Sequence, residues 1–194
     1  MSGPLGLGSA LSAAGPFATG RPGMARARIE LNRDLDPVPL PASVMSEICR
    51  HALDTAPEEC CGLVVGSIRQ RFENPCRITN VMTKMHLSDP VSFPRDARQA
   101  YYMTEVEYLR AQQEAETSGR FVSAVYHSHV DAGAYLSNED LAYAEHPLFP
   151  FPGAAQIVIS VLGGRVKEAA IFEMDAVTRD FRGVNGRLLE VIDT

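Results

Sequence analysis

Tyr126-His-Ser-His-Val-Asp-Ala-Gly-Ala-Tyr-Leu-Ser-Asn-Glu-Asp140 is the stretch from which the rest of the chain is read. As a pattern it is H-x-H-x7-S-x2-D, carried by His127, His129, Ser137 and Asp140. Two residues apart on a strand means one shared face and a separation of ~6.6 Å, a span that one metal ion bridges. The preceding run Phe121-Val-Ser-Ala-Val-Tyr126 is rich in β-branched and aromatic residues and predicts that strand. A carboxylate at position 140 returns to the same ion from a following helix. Two imidazoles, one carboxylate and an open fourth position describe a catalytic zinc site rather than a structural one.

Simpler readings of the same residues exist. Two histidines at this spacing also occur as surface decoration or as side chains satisfied by neighbours. Ser137 and Asp140 fit a capping box at the start of a helix Asn138–Glu145, although Glu or Gln is the usual fourth residue. That capping reading is compatible with a catalytic one.

At these positions the chain resembles the JAMM motif of the MPN+ metalloproteases, H-S-H-x7-S-x2-D, without a mismatch. That family also uses an upstream glutamate. Pro57-Glu-Glu-Cys-Cys-Gly-Leu-Val-Val-Gly66 is similar to its bacterial form, P-x-E-x-C-G-x-x-x-G. By that match Glu59 is the catalytic glutamate and Glu58 the neighbour to be told apart from it. The resemblance covers roughly residues 40–172 and looks closest to bacterial proteins of ubiquitin-like sulfur-carrier systems. It implies a single MPN (JAB)-type α/β domain with a mixed sheet flanked by helices. It also implies zinc held by His127, His129 and Asp140, with Glu59 as proton carrier and Ser137 as oxyanion donor. The implied substrate is a ubiquitin-like or sulfur-carrier protein with a Gly-Gly tail, and an activating enzyme is a further candidate partner. Trimming of a precursor and cleavage of an isopeptide remain open, as do a non-catalytic binding scaffold and a zinc hydrolase of small amides.

Composition narrows the field. The chain has 194 residues, 45% of them hydrophobic, enough for one core. A net charge of −6 without a basic stripe argues against nucleic acid. No apolar run approaches the ~20 residues of a membrane span, and a cytoplasmic protein is expected. Cys49, Cys60, Cys61 and Cys76 form no C-x-x-C pair, so free thiols in a reducing compartment are expected. H-E-x-x-H and the zinc-deaminase signature are both absent. Ser137 lacks a G-x-S-x-G elbow, which disfavours it as a nucleophile.

Residues 1–37 are rich in Gly, Ala, Ser and Pro and are read as a disordered or tag-like extension, with residues 38–194 as the domain. Residues 28–31 are an alternative edge strand. The expected order is α-β-β-α-β-α-β-β: a helix over 41–53, strands over 63–68 and 71–82, a loop over 84–94, a helix opened by a Thr104–Glu107 capping box, the strand at 121–126, a helix from Ser137, and a hairpin of 157–162 and 165–172. Residues 180–192 are left unassigned.

Overall fold

The computed structural model describes residues 28–178, 181 and 186–193. Seven strands form one sheet in the order β1-β7-β6-β5-β4-β2-β3. They are β1 (Val38–Pro41), β2 (Cys61–Gly66), β3 (Asn74–Ile78), β4 (Phe121–Val130), β5 (Ala155–Leu162), β6 (Arg165–Phe172) and β7 (Arg187–Ile192). Pairing is parallel for β4 with β5 and for β1 with β7, and antiparallel elsewhere, so the sheet is mixed. The helices are α1 (Ala42–Thr55), α2 (Met82–Ser88), α3 (Glu105–Thr117) and α4 (Asn138–Ala144).

Each face of the sheet is covered. On one face α1 buries Val44, Ile48 and Ala52, spaced four apart on one helix stripe, against Val64, Tyr126, Ile157, Ile159 and Ile171. The opposite face carries Cys61, Leu63 and Val125 beneath Tyr101, Met103, Phe149 and Phe151. Further along that face, Val158, Ala170 and Phe172 pack with Leu141 and Ala144 of α4. Alternation along β4 therefore sends Tyr126 to the α1 side and Val125, His127 and His129 to the other.

The two glycines of the upstream box have steric reasons. A Cβ on Gly62 lies 2.4 Å from the Cys76 carbonyl and 2.5 Å from the Tyr126 ring, so the tyrosine lies over bare backbone. A Cβ on Gly66 meets the Arg71 carbonyl oxygen at 1.8 Å. Gly163 and Gly164, both at positive φ (54° and 71°), close the β5–β6 hairpin, where a two-residue primed turn requires that conformation. Cys60 and Cys61 are buried on opposite faces, and all four thiols are free.

Several elements depart from the sequence expectation. The segment 84–94, expected as loop, begins inside α2, whose start is held by Met82 N–H donating to Asn80 Oδ1 (3.0 Å). Strand β3 begins only at Asn74, with Pro75 tolerated because β3 is the sheet edge. Thr104 makes no cap bond: its hydroxyl donates to the Thr79 carbonyl, and Glu107 accepts from Thr79 Oγ1 and N–H. β4 runs four residues beyond Tyr126 and includes both histidines. β1 and β7 form a parallel pair at the far edge. Residues 1–27 lie outside the described residues. Ile29 exchanges both backbone hydrogen bonds with Leu136 (2.9 and 3.0 Å), next to Ser137, and Leu31 bridges Gly186.

Candidate metal centre

His127 and His129 project from the C-terminal end of β4, the strand held between β2 and β5. Both are buried, at 0% and 6% exposure. Asp140 reaches them from the first turn of α4. His127 Nε2 and His129 Nε2 stand 3.2 Å apart, and each lies 3.5 Å from Asp140 Oδ2. A tetrahedral ion with ligands at ~2.0–2.1 Å has ligand–ligand edges of about 3.3–3.4 Å. The observed triangle has that size, so the donor set fits zinc in both chemistry and spacing.

Each ligand is oriented by a neighbour. His129 Nδ1–H donates to the Gly133 carbonyl (3.0 Å), which leaves Nε2 as the lone-pair nitrogen of the neutral ring. Tyr135 packs against that ring, with centroids 4.8 Å apart. Tyr101 stacks on His127 at 4.6 Å and 25°. Ser137 N–H donates to Asp140 Oδ2 (2.8 Å), while Asp140 N–H donates to Ser137 Oγ (3.1 Å), forming a reciprocal capping box. Ser137 Oγ thus accepts one bond and keeps its own hydrogen to donate.

The charges support one another. Burial raises the Asp140 pKa, but the two histidines outweigh it and hold the carboxyl well below the usual range. Burial depresses His127, with Asp140 partly opposing. In His129 the desolvation is overcome by Asp140, Glu59 and the Gly133 carbonyl, and its pKa rises.

Glu59 sits in the turn between α1 and β2, only 7% exposed. Its position is set by its neighbours' backbones. Cys60 N–H donates to Ser128 Oγ (2.9 Å) and Ser128 N–H returns to the Cys60 carbonyl (3.2 Å), so the serine between the histidines ties this turn to β4. Asn80 Nδ2 donates to the carbonyls of Glu59 (2.9 Å) and Ala100 (3.1 Å), and Asn80 Oδ1 accepts from Met82 and Tyr102. Glu59 N–H donates to the Ala97 carbonyl (2.7 Å). Burial pushes the Glu59 carboxyl up to about 8; His129 draws it down and Asp140 pushes it further up. Glu58 is directed away, accepting a bond from Thr83 Oγ1 (3.2 Å).

A cavity of about 770 Å³ joins these groups. Glu59, His129, Ser137 and Asp140 line it, so the structure brings four of the five residues singled out in the sequence to one cavity, and the fully buried His127 touches it through Asp140. Sequence reasoning missed Ser128, Asn80 and Tyr101. Only Ser128 carried a signal, as the middle residue of H-S-H. The other two act through loops whose proximity to the site is a tertiary fact. His146 also lines the cavity. Among the described residues no helix is long and apolar enough to cross a membrane.

Comparison with known proteins agrees with this architecture. A family model described as prokaryotic homologs of the JAB domain matches residues 41–177. The solution structure of a protein from Desulfitobacterium hafniense is similar, with 20% identity and a TM-score of 0.54 over 81% of this chain and 94% of that one. One from Salinibacter ruber shows 25% identity and a TM-score of 0.51 over 81% and 91%. The crystal structure of a JAB1/MPN domain protein from Archaeoglobus fulgidus gives 15% identity and a TM-score of 0.41 over 80% and 98%. A search of curated proteins finds no match. With the family model spanning most of its length, the chain belongs to the prokaryotic JAB-domain family.

Proposed function

We propose that this chain is a zinc-dependent JAMM-type metallopeptidase that cuts the amide bond following the Gly-Gly terminus of a ubiquitin-like or sulfur-carrier protein. The observation that carries the reading is the 3.2–3.5 Å triangle of His127, His129 and Asp140, with Glu59 lining the same cavity. Zinc held by His127, His129 and Asp140 would supply Lewis acidity and make an attacking water more acidic. Glu59 takes a proton from the attacking water and returns it to the leaving amine. A carboxyl with a pKa near neutrality suits both transfers. Ser137 Oγ–H, not committed to its cap bond, donates to the oxygen that gains charge on the scissile carbonyl. Glycines pass the aromatic walls of Tyr101, Tyr135 and Tyr143 without side-chain clash, and an extended tail aligns its carbonyl by backbone pairing.

The test has two parts. Elemental analysis of the purified chain is expected to find one zinc per molecule, lost in His129→Ala. Mass spectrometry is expected to show trimming of a ubiquitin-like protein that carries residues beyond Gly-Gly, with casein left intact. Zinc without trimming favours the binding scaffold, and efficient casein digestion or indifference to the glycines favours a general zinc hydrolase.

A further inference from the structure

Residues 28–33 precede the stretch matched by the family model, yet they are bonded to the loop that carries Ser137. Ile29 N–H donates to the Leu136 carbonyl (2.9 Å), and Leu136 N–H returns to the Ile29 carbonyl (3.0 Å). Further along, the Glu30 carbonyl accepts from Gly186 N–H (3.0 Å), and Asn32 N–H donates to the Gly186 carbonyl (2.9 Å). A Cβ on Gly186 would lie 2.4 Å from the Phe172 ring, so the segment meets bare backbone there. It thus spans from the metal loop to the start of β7. Ile29 and Leu31 share one face of this extended run and pack on the cluster that holds Leu136, Leu141, Phe172 and Phe181. Arg33 pairs with Glu168 of β6.

The loop between β4 and α4 is held in two halves. Its first half is anchored on the sheet. Asp131 N–H donates to the Val161 carbonyl (2.8 Å), and Ser160 Oγ donates to the Ala132 carbonyl (2.6 Å). In its second half Leu136 is fully buried, and its N–H and carbonyl both bond to Ile29. Buried backbone groups deprived of a partner are costly, so without Ile29 the residue before Ser137 is driven to another conformation. Tyr135 is held by the same segment. Its ring lies beneath the Arg28 guanidinium, 4.5 Å from the centroid, and packs on the His129 imidazole at 4.8 Å. Contacts from residues 28–33 therefore reach His129 through Tyr135, and reach Asp140 through Leu136 and the Ser137 N–H.

We infer that residues 28–33 are a positioning strap for the metal centre, fixing Tyr135 and Ser137 and through them the donor geometry of His129 and Asp140. The metal part of this inference rests on the contacts alone, whereas any effect on turnover rests on the function proposed above. The strap adds no group to the chemistry. It holds the second half of the loop in one conformation, so that the ligands do not have to be ordered at the moment an ion binds. Arg28 and Ile29 are its working residues, because they touch the loop directly; Leu31, Asn32 and Arg33 anchor it to the sheet edge.

The test uses the full chain and three variants. Ile29→Pro removes the N–H that bonds Leu136; Arg28→Ala removes the cation over Tyr135, and Arg28→Lys restores one. Zinc affinity is measured by competition with a chromophoric chelator, and the cobalt-loaded proteins give a visible spectrum that reports ligand geometry. Ile29→Pro is expected to weaken zinc about 10- to 100-fold, the range for partners that orient metal ligands, and to alter the cobalt spectrum. Arg28→Ala is expected to weaken zinc roughly two- to fivefold, with Arg28→Lys near wild type. Amide exchange in 131–140 is expected to quicken in Ile29→Pro while 122–130 stays slow. Unchanged zinc affinity and cobalt spectrum in both Ile29→Pro and Arg28→Ala overturn the inference. So does equal loosening of 122–130, which makes the strap a general stabiliser. If Ile29→Pro does not fold, the Arg28 pair decides alone: an Arg28→Ala defect that lysine fails to repair, or no defect, overturns it. Weakened zinc in the variants of a wild type that cleaves nothing upholds the strap and sinks the proposed catalytic function instead.

Discussion

Ser137 and Asp140 hold each other: the backbone N–H of each donates to the side chain of the other, at 2.8 and 3.1 Å. The same pair that starts α4 thus aims the carboxylate at the two histidines. Because Asp140 is oriented by the Ser137 backbone, a change in the serine side chain leaves that bond intact. Ser137→Ala is expected to keep bound metal, to cost about 1 kcal/mol of stability through the lost cap, and to lower kcat about 10²–10³-fold. Loss of metal in this variant refutes the separation of roles.

Glu59 and its neighbour are separable by the same logic. Glu59→Gln is expected to retain fold and metal while turnover falls ~10²–10⁴-fold. Glu58→Gln, which alters only a contact with Thr83, is expected to be near wild type. Kinetics on both variants decides. The reverse ranking shows that the carboxylate has been assigned to the wrong position.

A pH effect on stability follows from His51, buried on the inner face of α1 with Nδ1 2.9 Å from Tyr126 Oη. Desolvation, helped by Arg77 and opposed by Asp54, lowers its pKa from 6.5 to about 4. Between those values the unfolded chain binds a proton that the folded chain refuses. Its contribution is therefore intact above pH 6.5 and is lost as pH falls towards 4, with a slope of at most about 1.4 kcal/mol per pH unit. Melting curves of wild type and His51→Gln across this window are expected to converge in acid. Parallel curves count against the assignment.

Gly62→Ala is expected to destabilise by about 1–3 kcal/mol or more, since the added methyl meets the Cys76 carbonyl and the Tyr126 ring at under 3 Å. Denaturant midpoints measure it. A neutral result requires β2 and β4 to separate at no cost.

The comparison of sequence and fold is instructive where it fails. β4, β5 and β6 were readable because their pattern is local, apolar, and bounded by glycines with a turn role. α2 was not, because it buries only Met82 and shows no stripe. β1 was hidden by Pro39 and Pro41, and its pairing with β7 joins residues about 150 positions apart. The Thr104–Glu107 box has the right letters, yet both side chains bond Thr79 instead, so a tertiary contact overrode a local signal. The five candidate residues were legible from spacing and resemblance. Tyr101 was not, because it lies in an irregular segment folded back by the Asn80 amide and the Ala97 carbonyl.

The two histidines belong to a strand hydrogen-bonded on both sides, whereas Asp140 belongs to a seven-residue helix beside a loop. Opening the first requires breaking the middle of the sheet, while opening the second requires only local fraying. Amide hydrogen exchange in the β4 segment 122–130 is expected to be slow whether or not an ion is bound. Exchange at Leu141 to Glu145 is expected to slow when zinc is added to stripped protein. The ion would then act as a clasp, fastening a mobile flank to a wall that stands without it.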